Sequence, residues 1–247
     1  MAELNSRPVS VRAACNLRTD AAVADTQLRR FVQQQYGVDG RRLSRLSLLT
    51  LAGALGAAEG RTPDALYMGT VFVSKTLMQR MLDNVMFEGL AKPFDFLANL
   101  HNAPVFHVAA ALGCRGQTLV LPTSDQAASW SIPLRLAIND ITCGFADSAL
   151  VGWCYEHQPL RQEQRDGSHW LWLQRDPLAE APQLWLAAGD DGAVLPTAEH
   201  PAYYYQGVAD WLAGLGQGGE RVLPLDGRSR LVCRGADGFT VHQPEIA

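Results

Sequence analysis

Lysine is nearly absent from this chain. Of its 21 basic residues only Lys75 and Lys92 are lysine and the rest are arginine, which leaves few amines for Schiff-base or amine-nucleophile chemistry. Positive charge is not in excess either. The 21 Lys and Arg stand against 25 Asp and Glu for a formal net charge of -4, so no global footprint for a polyanion exists and nucleic acid is not an expected partner. The five cysteines, Cys15, Cys114, Cys143, Cys154 and Cys233, are odd in number and form no CxxC pair. That argues against a disulfide framework or a zinc site and for a reducing compartment. No run of about 18 apolar residues offers a membrane span, and residues 1–16 hold no apolar core of signal-peptide length. A soluble cytoplasmic protein without cofactor or metal is expected.

What is present is 247 residues with 47% hydrophobic and 19% charged positions, enough to bury one sizeable core. Residues 8–15 read as a strand, and residues 20–36 as a helix with Val23, Leu28, Phe31 and Val32 on its apolar stripe. Ser44 is placed to cap an Ala- and Gly-rich helix that should be nearly buried. Residues 65–73 are short and apolar enough for a buried strand, with Ser74 as the N-cap of the next helix. In that helix Leu77, Met78, Met81, Leu82, Val85 and Met86 repeat at helical spacing. Such a stripe packs into a core or, given adaptable methionines, lies at an interface or against an acyl chain. Residues 105–112 read as a helix ended by Gly113, residues 118–121 as a buried strand, residues 126–143 as a helix and residues 149–155 as a strand. Pro133 fits only a first helical turn, so the helix over 126–143 starts late or bends. Strand, helix, strand in this order implies a layered α/β fold.

The remainder, 156–247, is less legible and is read as an extension of the same single domain over 1–247. Residues 170–173 and 184–188 read as strands and 203–215 as a helix. Gly214, Gly216, Gly218 and Gly219 read as a flexible surface turn, without the strand-before, helix-after context of a phosphate loop. Trp170 and Trp172 share one side of a strand, which serves either a core or an interface. Arg41, Arg42 and Arg45 form either a solvated helix start or a contact for an acidic partner.

Residues 101–156 read HNAPVFHVAAALGCRGQTLVLPTSDQAASWSIPLRLAINDITCGFADSALVGWCYE. In order, they carry an Asn-Xaa-Pro element at Asn102, a helix ending in Leu112 and Gly113, a strand led by Gly116, a segment from Ser124 to Ser129, a helix closed by Gly144, and an Asp-Xaa-Ala-Leu-Val-Gly strand from Asp147. This pattern resembles the N-terminal half of β-ketoacyl synthases. The His101-Asn102-Ala103 start and the short chain are most similar to ketosynthase-like chain-length-factor proteins. The resemblance implies a thiolase-like layered fold present as a single ketosynthase-type half, with a mixed, mainly parallel sheet between helices.

The resemblance also implies a nucleophilic cysteine where a strand runs into a buried helix, whose positive end would stabilise the thiolate. No cysteine lies between Cys114 and Cys143. Gap-free counting from Gly144 puts Ala127 at that place. A shift of one puts Gln126 there, the residue type that replaces cysteine in chain-length factors and decarboxylating loading synthases; Gln126 also suits an ordinary helix entry. The degenerate region is thus Ser124, Asp125, Gln126, Ala127 and Ser129. No Gly-Xaa-Ser-Xaa-Gly elbow activates its serines. His101, Asn102 and Trp130 are candidate loop or pocket residues, and Met78, Met81 and Met86 candidate interface residues. His200 and His242 match no motif of the family's second half, which supplies the two histidines of condensation. The resemblance implies a protein that is not catalytic by itself. It would pair with a complete β-ketoacyl synthase in fatty-acid or polyketide-type biosynthesis, for example of an aryl-polyene kind, or with itself, and would meet an acyl carrier protein. Two alternatives stay open: a homodimer that rebuilds a decarboxylase or acyltransferase site, and a scaffold that binds only the carrier.

Overall fold

The computed structural model describes residues 6–70, 75–124, 127–157, 165–176, 178–189, 204–226 and 229–246. Strand β1 (Val9–Asp20) is buried along most of its length, as expected of a strand covered on both faces. It runs to Asp20, five residues beyond the expected end, because it pairs with a partner strand as far as Arg165. Helix α1 (Asp25–Tyr36) therefore begins after residue 20, with Leu28 and Val32 as its buried stripe. In α2 (Arg45–Ala58), Ser44 Oγ accepts the Ser47 amide at 3.2 Å, the expected cap. This helix is almost wholly buried, each of its leucines worth about 1.5–3 kcal/mol on transfer from water. A Cβ on Gly53 would lie 2.4 Å from Ser168 Oγ and 2.7 Å from the Trp170 ring, so only glycine lets α2 approach the sheet this closely.

After β2 (Ala65–Thr70) come α3 (Lys75–Met86), α4 (Pro93–Ala98) and α5 (Ala103–Leu112), the last stopped by Gly113 in the left-handed region. The expected cap Ser74 lies outside the described residues. Then follow β3 (Thr118–Pro122), the short α6 (Ala127–Trp130), α7 (Ile132–Cys143), β4 (Ser148–Tyr155), β5 (Arg165–Gln174), β6 (Gln183–Ala188), α8 (Tyr204–Ala213), β7 (Gly219–Asp226) and β8 (Ser229–Gly235).

The strands form one mixed sheet in the order β3-β2-β4-β5-β1-β6-β8-β7. Its parallel part is smaller than expected: β2 runs parallel to β3 and β4, and the other five pairings are antiparallel. The helical connections β2 to β3 and β3 to β4 place parallel neighbours, whereas β4–β5 and β7–β8 follow one another with no described helix between them and return antiparallel, and β1 inserts antiparallel between β5 and β6. A second correction concerns β3, which is the sheet edge and only half-buried rather than a buried strand. A third concerns the glycines at 214–219. Gly214 is buried in a 3₁₀ turn and Gly219 begins β7, so the exposed turn is confined to Gln217 and Gly218, between regular elements.

Two cores result, one on each face. Helix α2, flanked by α1 and α5, covers one face over Met68, Leu150, Trp170 and Trp172; α7 and α8 cover the other over Tyr67, Val151 and Leu171. Trp170 and Trp172 are therefore packing residues. The chain's end returns beside β1, where the His242 amide donates to the Ala14 carbonyl and its carbonyl accepts the Asn16 amide, both at 2.8 Å. No described helix is long and apolar enough to cross a membrane.

Candidate functional site

The place where the resemblance demands a nucleophile is the turn from β3 into α6. The Thr123 amide donates to the Thr70 carbonyl at 2.9 Å, fastening the turn to the end of β2. The Ser124 amide donates to Ser129 Oγ at 2.7 Å, closing it. Structure thus brings Ser124 and Ser129 together, yet as a turn-closing pair, and among the described residues no imidazole or carboxylate bonds either hydroxyl to act as base. Asp125 and Gln126 lie outside the described residues; Ala127 opens α6. Helix α7 starts afresh at Ile132 with Pro133 in its first turn, the late start that Pro133 requires. The hydroxyl of Tyr67 on β2 donates to Asp140, pinning α7 to the sheet.

Trp130 is packed in the core. Its ring is buried edge-to-face with Trp153 and Trp211, both at 5.7 Å, and its carbonyl accepts the Trp153 indole N–H at 2.7 Å. A large ring with satisfied neighbours is worth more in the core than at a cleft.

None of the five thiols replaces the missing one. Cys15 and Cys154 are buried, and burial pushes both thiols up to about 12; Cys233 is raised for the same reason, so they stay protonated and inert near neutral pH. Cys114 follows the end of α5, and Cys143 is the last residue of α7, a helix of about 18 Å away from the turn. The histidines are equally dispersed. His101 is exposed in the turn before α5. His242 is held by its backbone, and His200 lies outside the described residues. His169, which nothing in the sequence marks, is fully buried between Tyr155 Oη at 3.0 Å and Asn16 Oδ1 at 2.7 Å. Desolvation, helped by Arg18, lowers its pKa to about 3 and keeps it neutral. Among the described residues no group of three His, Cys, Asp or Glu is arranged to hold a metal ion.

The three candidate arginines part company. Arg45 is bound by Asp166 and Asp25 and is mostly buried, so it holds the fold together and is not free for a partner. Arg41 pairs with Asp39 on the surface, while Arg42 lies over the Phe94 ring at 5.6 Å. Asn102 stands at the head of α5 without making a capping bond and lines, with Arg42, a cleft of about 770 Å³.

The methionine stripe is not core. Met81 Sδ accepts the Asn99 side-chain N–H at 3.5 Å and Met78 is half-buried, but Met86 is 74% exposed and Phe87 85%. Leu82, Val85, Phe94, Phe96 and Phe106 extend this exposed apolar face across α3, α4 and α5. Large apolar side chains exposed in this number on neighbouring helices are a mark of an interaction site.

No family model matches the chain, and no curated protein matches it. Solved structures do. One is a chain of the ketosynthase in complex with its chain length factor from Xenorhabdus doucetiae, at 13% identity and a TM-score of 0.61, covering 92% of this chain and 99% of that one. A type II polyketide synthase acyl-carrier protein in complex with its ketosynthase bound to the hexaketide matches at 14% identity and 0.52, over 68% and 63%. Ketosynthase twelve of the bacillaene polyketide synthase of Bacillus amyloliquefaciens matches at 15% and 0.51, over 75% and 46%. The chain spans less than two thirds of the latter two. At such identities the likeness is one of fold, and the fold is ketosynthase-like.

Proposed function

We propose that this chain is a non-catalytic, chain-length-factor-like subunit that pairs with a complete β-ketoacyl synthase in fatty-acid or polyketide-type biosynthesis. The observation that carries the reading is the absence of any cysteine where β3 of a ketosynthase-like fold leads into α6, with Ser129 Oγ taken up by the Ser124 backbone amide. Without a thiolate no acyl thioester forms on this chain. Its contribution is then to shape the acyl pocket of a partner that supplies cysteine and histidines.

Two features support a partner of this kind. The exposed apolar residues toward the end of α3 and just after it, Leu82, Val85, Met86 and Phe87, give the chain a face to bury. Among the described residues strand β3 is the sheet edge, beside α5, and a sheet edge favours pairing with another strand. The likeness to a chain from a ketosynthase–chain length factor complex over nearly that chain's whole length fits the same picture. Acyl carrier protein enters as the partner complex's substrate carrier. The test is co-expression with the β-ketoacyl synthases of the same genome: a stable pair whose product length changes when Met86 or Phe87 is replaced by Asp supports the reading. Absence of any pair, with product length unchanged on deletion of this chain, overturns it.

A further inference from the structure

The cleft of about 770 Å³ at the head of α2 and α5 lies apart from the turn at 123–130, no described residue of which lines it. Its walls are of two kinds. Leu77, Phe94, Leu97, Leu100 and Phe106 line its apolar side, drawn from α3, α4, the turn after α4 and α5. Five arginines against two aspartates, Asp25 and Asp95, make the rim, although the chain as a whole carries a net charge of -4. Three of these guanidinium groups are committed: Arg41 to Asp39, Arg45 to Asp166 and Asp25, Arg80 to Asp95. Arg42 lies over the Phe94 ring and feels the field of Asp39, but no carboxylate among the described residues is within ion-pair distance of it. Arg29 has Asp25 at 3.8 Å, yet its Nε is shielded from solvent without a hydrogen-bond partner. Asn102 at the same rim makes no capping bond. The first turns of α2 and α5 both open here, adding the positive ends of two helices.

We infer that this cleft binds a monomeric anionic amphiphile, a phosphate or carboxylate head on an extended aliphatic chain. The head meets Arg42, Arg29 and Asn102, and the chain lies along Phe94, Leu97 and Phe106. Its volume is in the usual range of ligand sites, about 300–1,000 Å³, and a phosphate or carboxylate is the group that guanidinium forks match. The inference does not depend on the pairing proposed above, since it concerns the isolated chain.

Calorimetric titration of the full chain with decyl phosphate, below its micelle concentration, tests it. Binding is expected with Kd of about 10–100 μM, the affinity usual for a ligand of that size. Added salt should weaken it, because the rim is exposed to solvent. Inorganic phosphate and 1-octanol, head and chain alone, should each bind at least about tenfold more weakly. The surface variants Arg42→Ala and Phe94→Ser should each weaken binding at least about fivefold, with melting temperatures near the parent's, whereas Arg7→Ala should leave it unchanged. Four results overturn the inference: no binding of decyl phosphate at about 1 mM; equal binding of inorganic phosphate; insensitivity to both substitutions; or capture by phosphatidylglycerol vesicles without binding of the monomer. An acidic carrier protein that needs Arg42 while decyl phosphate does not bind overturns it too, assigning the cleft to a protein.

Discussion

Replacing Asp166 by Ala tests why Arg45 belongs to the fold and not to a partner. The side chains of Asp166 and Arg45 are 1% and 11% exposed. Oδ2 of Asp166 accepts from Arg45 Nε at 2.8 Å and Nη2 at 2.5 Å, while Oδ1 accepts the His157 amide at 2.6 Å. Arg45 Nη1 in turn reaches Asp25 Oδ1 at 2.8 Å and the Val23 carbonyl at 2.7 Å. One guanidinium thus ties the head of α2 to β5 and to the β1–α1 connection. Asp166→Ala leaves that cation without its main counter-charge and an amide without its acceptor. Removing one member of a buried pair costs about 3–5 kcal/mol. Because Asp25 and the Val23 carbonyl remain, a loss of about 3 kcal/mol is expected, equivalent to a fall of about 6–12 °C in Tm for a domain of this size. Urea unfolding followed by tryptophan fluorescence measures it, since Trp153 and Trp170 are fully buried. A loss below about 1 kcal/mol, the range of an exposed ion pair, would refute the argument and return Arg45 to the pool of partner-binding residues.

His169 sets a pH dependence. The folded protein keeps it neutral to about pH 3, whereas the unfolded imidazole takes up its proton near 6.5. Stability present above pH 6.5 therefore drains as pH falls toward 3, at up to about 1.4 kcal/mol per pH unit from this group; His169→Gln should flatten that part of the denaturation profile, and an unchanged slope would contradict the assignment. Gly152→Ala places a Cβ 2.0 Å from the Trp170 ring. An indole fixed between strands cannot yield, so a loss of about 1–3 kcal/mol or insoluble expression is expected, and wild-type stability would show that the close approach is not real. Met86→Asp and Phe87→Asp, on exposed positions, should leave stability within about 0.5 kcal/mol of the parent, while weakening the ketosynthase pair measured by calorimetry at least tenfold; full affinity would remove this face from the interface.

Local signals read well wherever one residue settles the backbone. Ser44 announces α2, Gly113 and Gly144 close α5 and α7 in the left-handed conformation, and Pro133 splits the helix that periodicity alone would have run from 126 to 143. What depends on distant partners does not read. Arg45 finds Asp166 121 residues away, and no local pattern pairs them. Strand β3 has the composition of a buried strand but is the sheet edge, because neighbours and not apolar content fix a strand's place. Strands β7 and β8 escape notice since Pro224 and glycines interrupt short alternations. At the candidate site the missing cysteine is legible from spacing. The roles of Ser129 and Trp130 are not, because a turn-closing acceptor and a core indole have the same letters as pocket residues. The α3 stripe shows the same limit: periodicity finds an apolar face, and only packing tells that Leu77 is covered while Leu82, Val85 and Met86 stay exposed.

Intact-mass spectrometry of the co-expressed pair during turnover is the most direct trial. With acyl carrier substrate supplied, the account predicts that the acyl mass increment appears on the ketosynthase partner alone and never on this chain. An acyl group recovered on a peptide spanning residues 123–131 would contradict it.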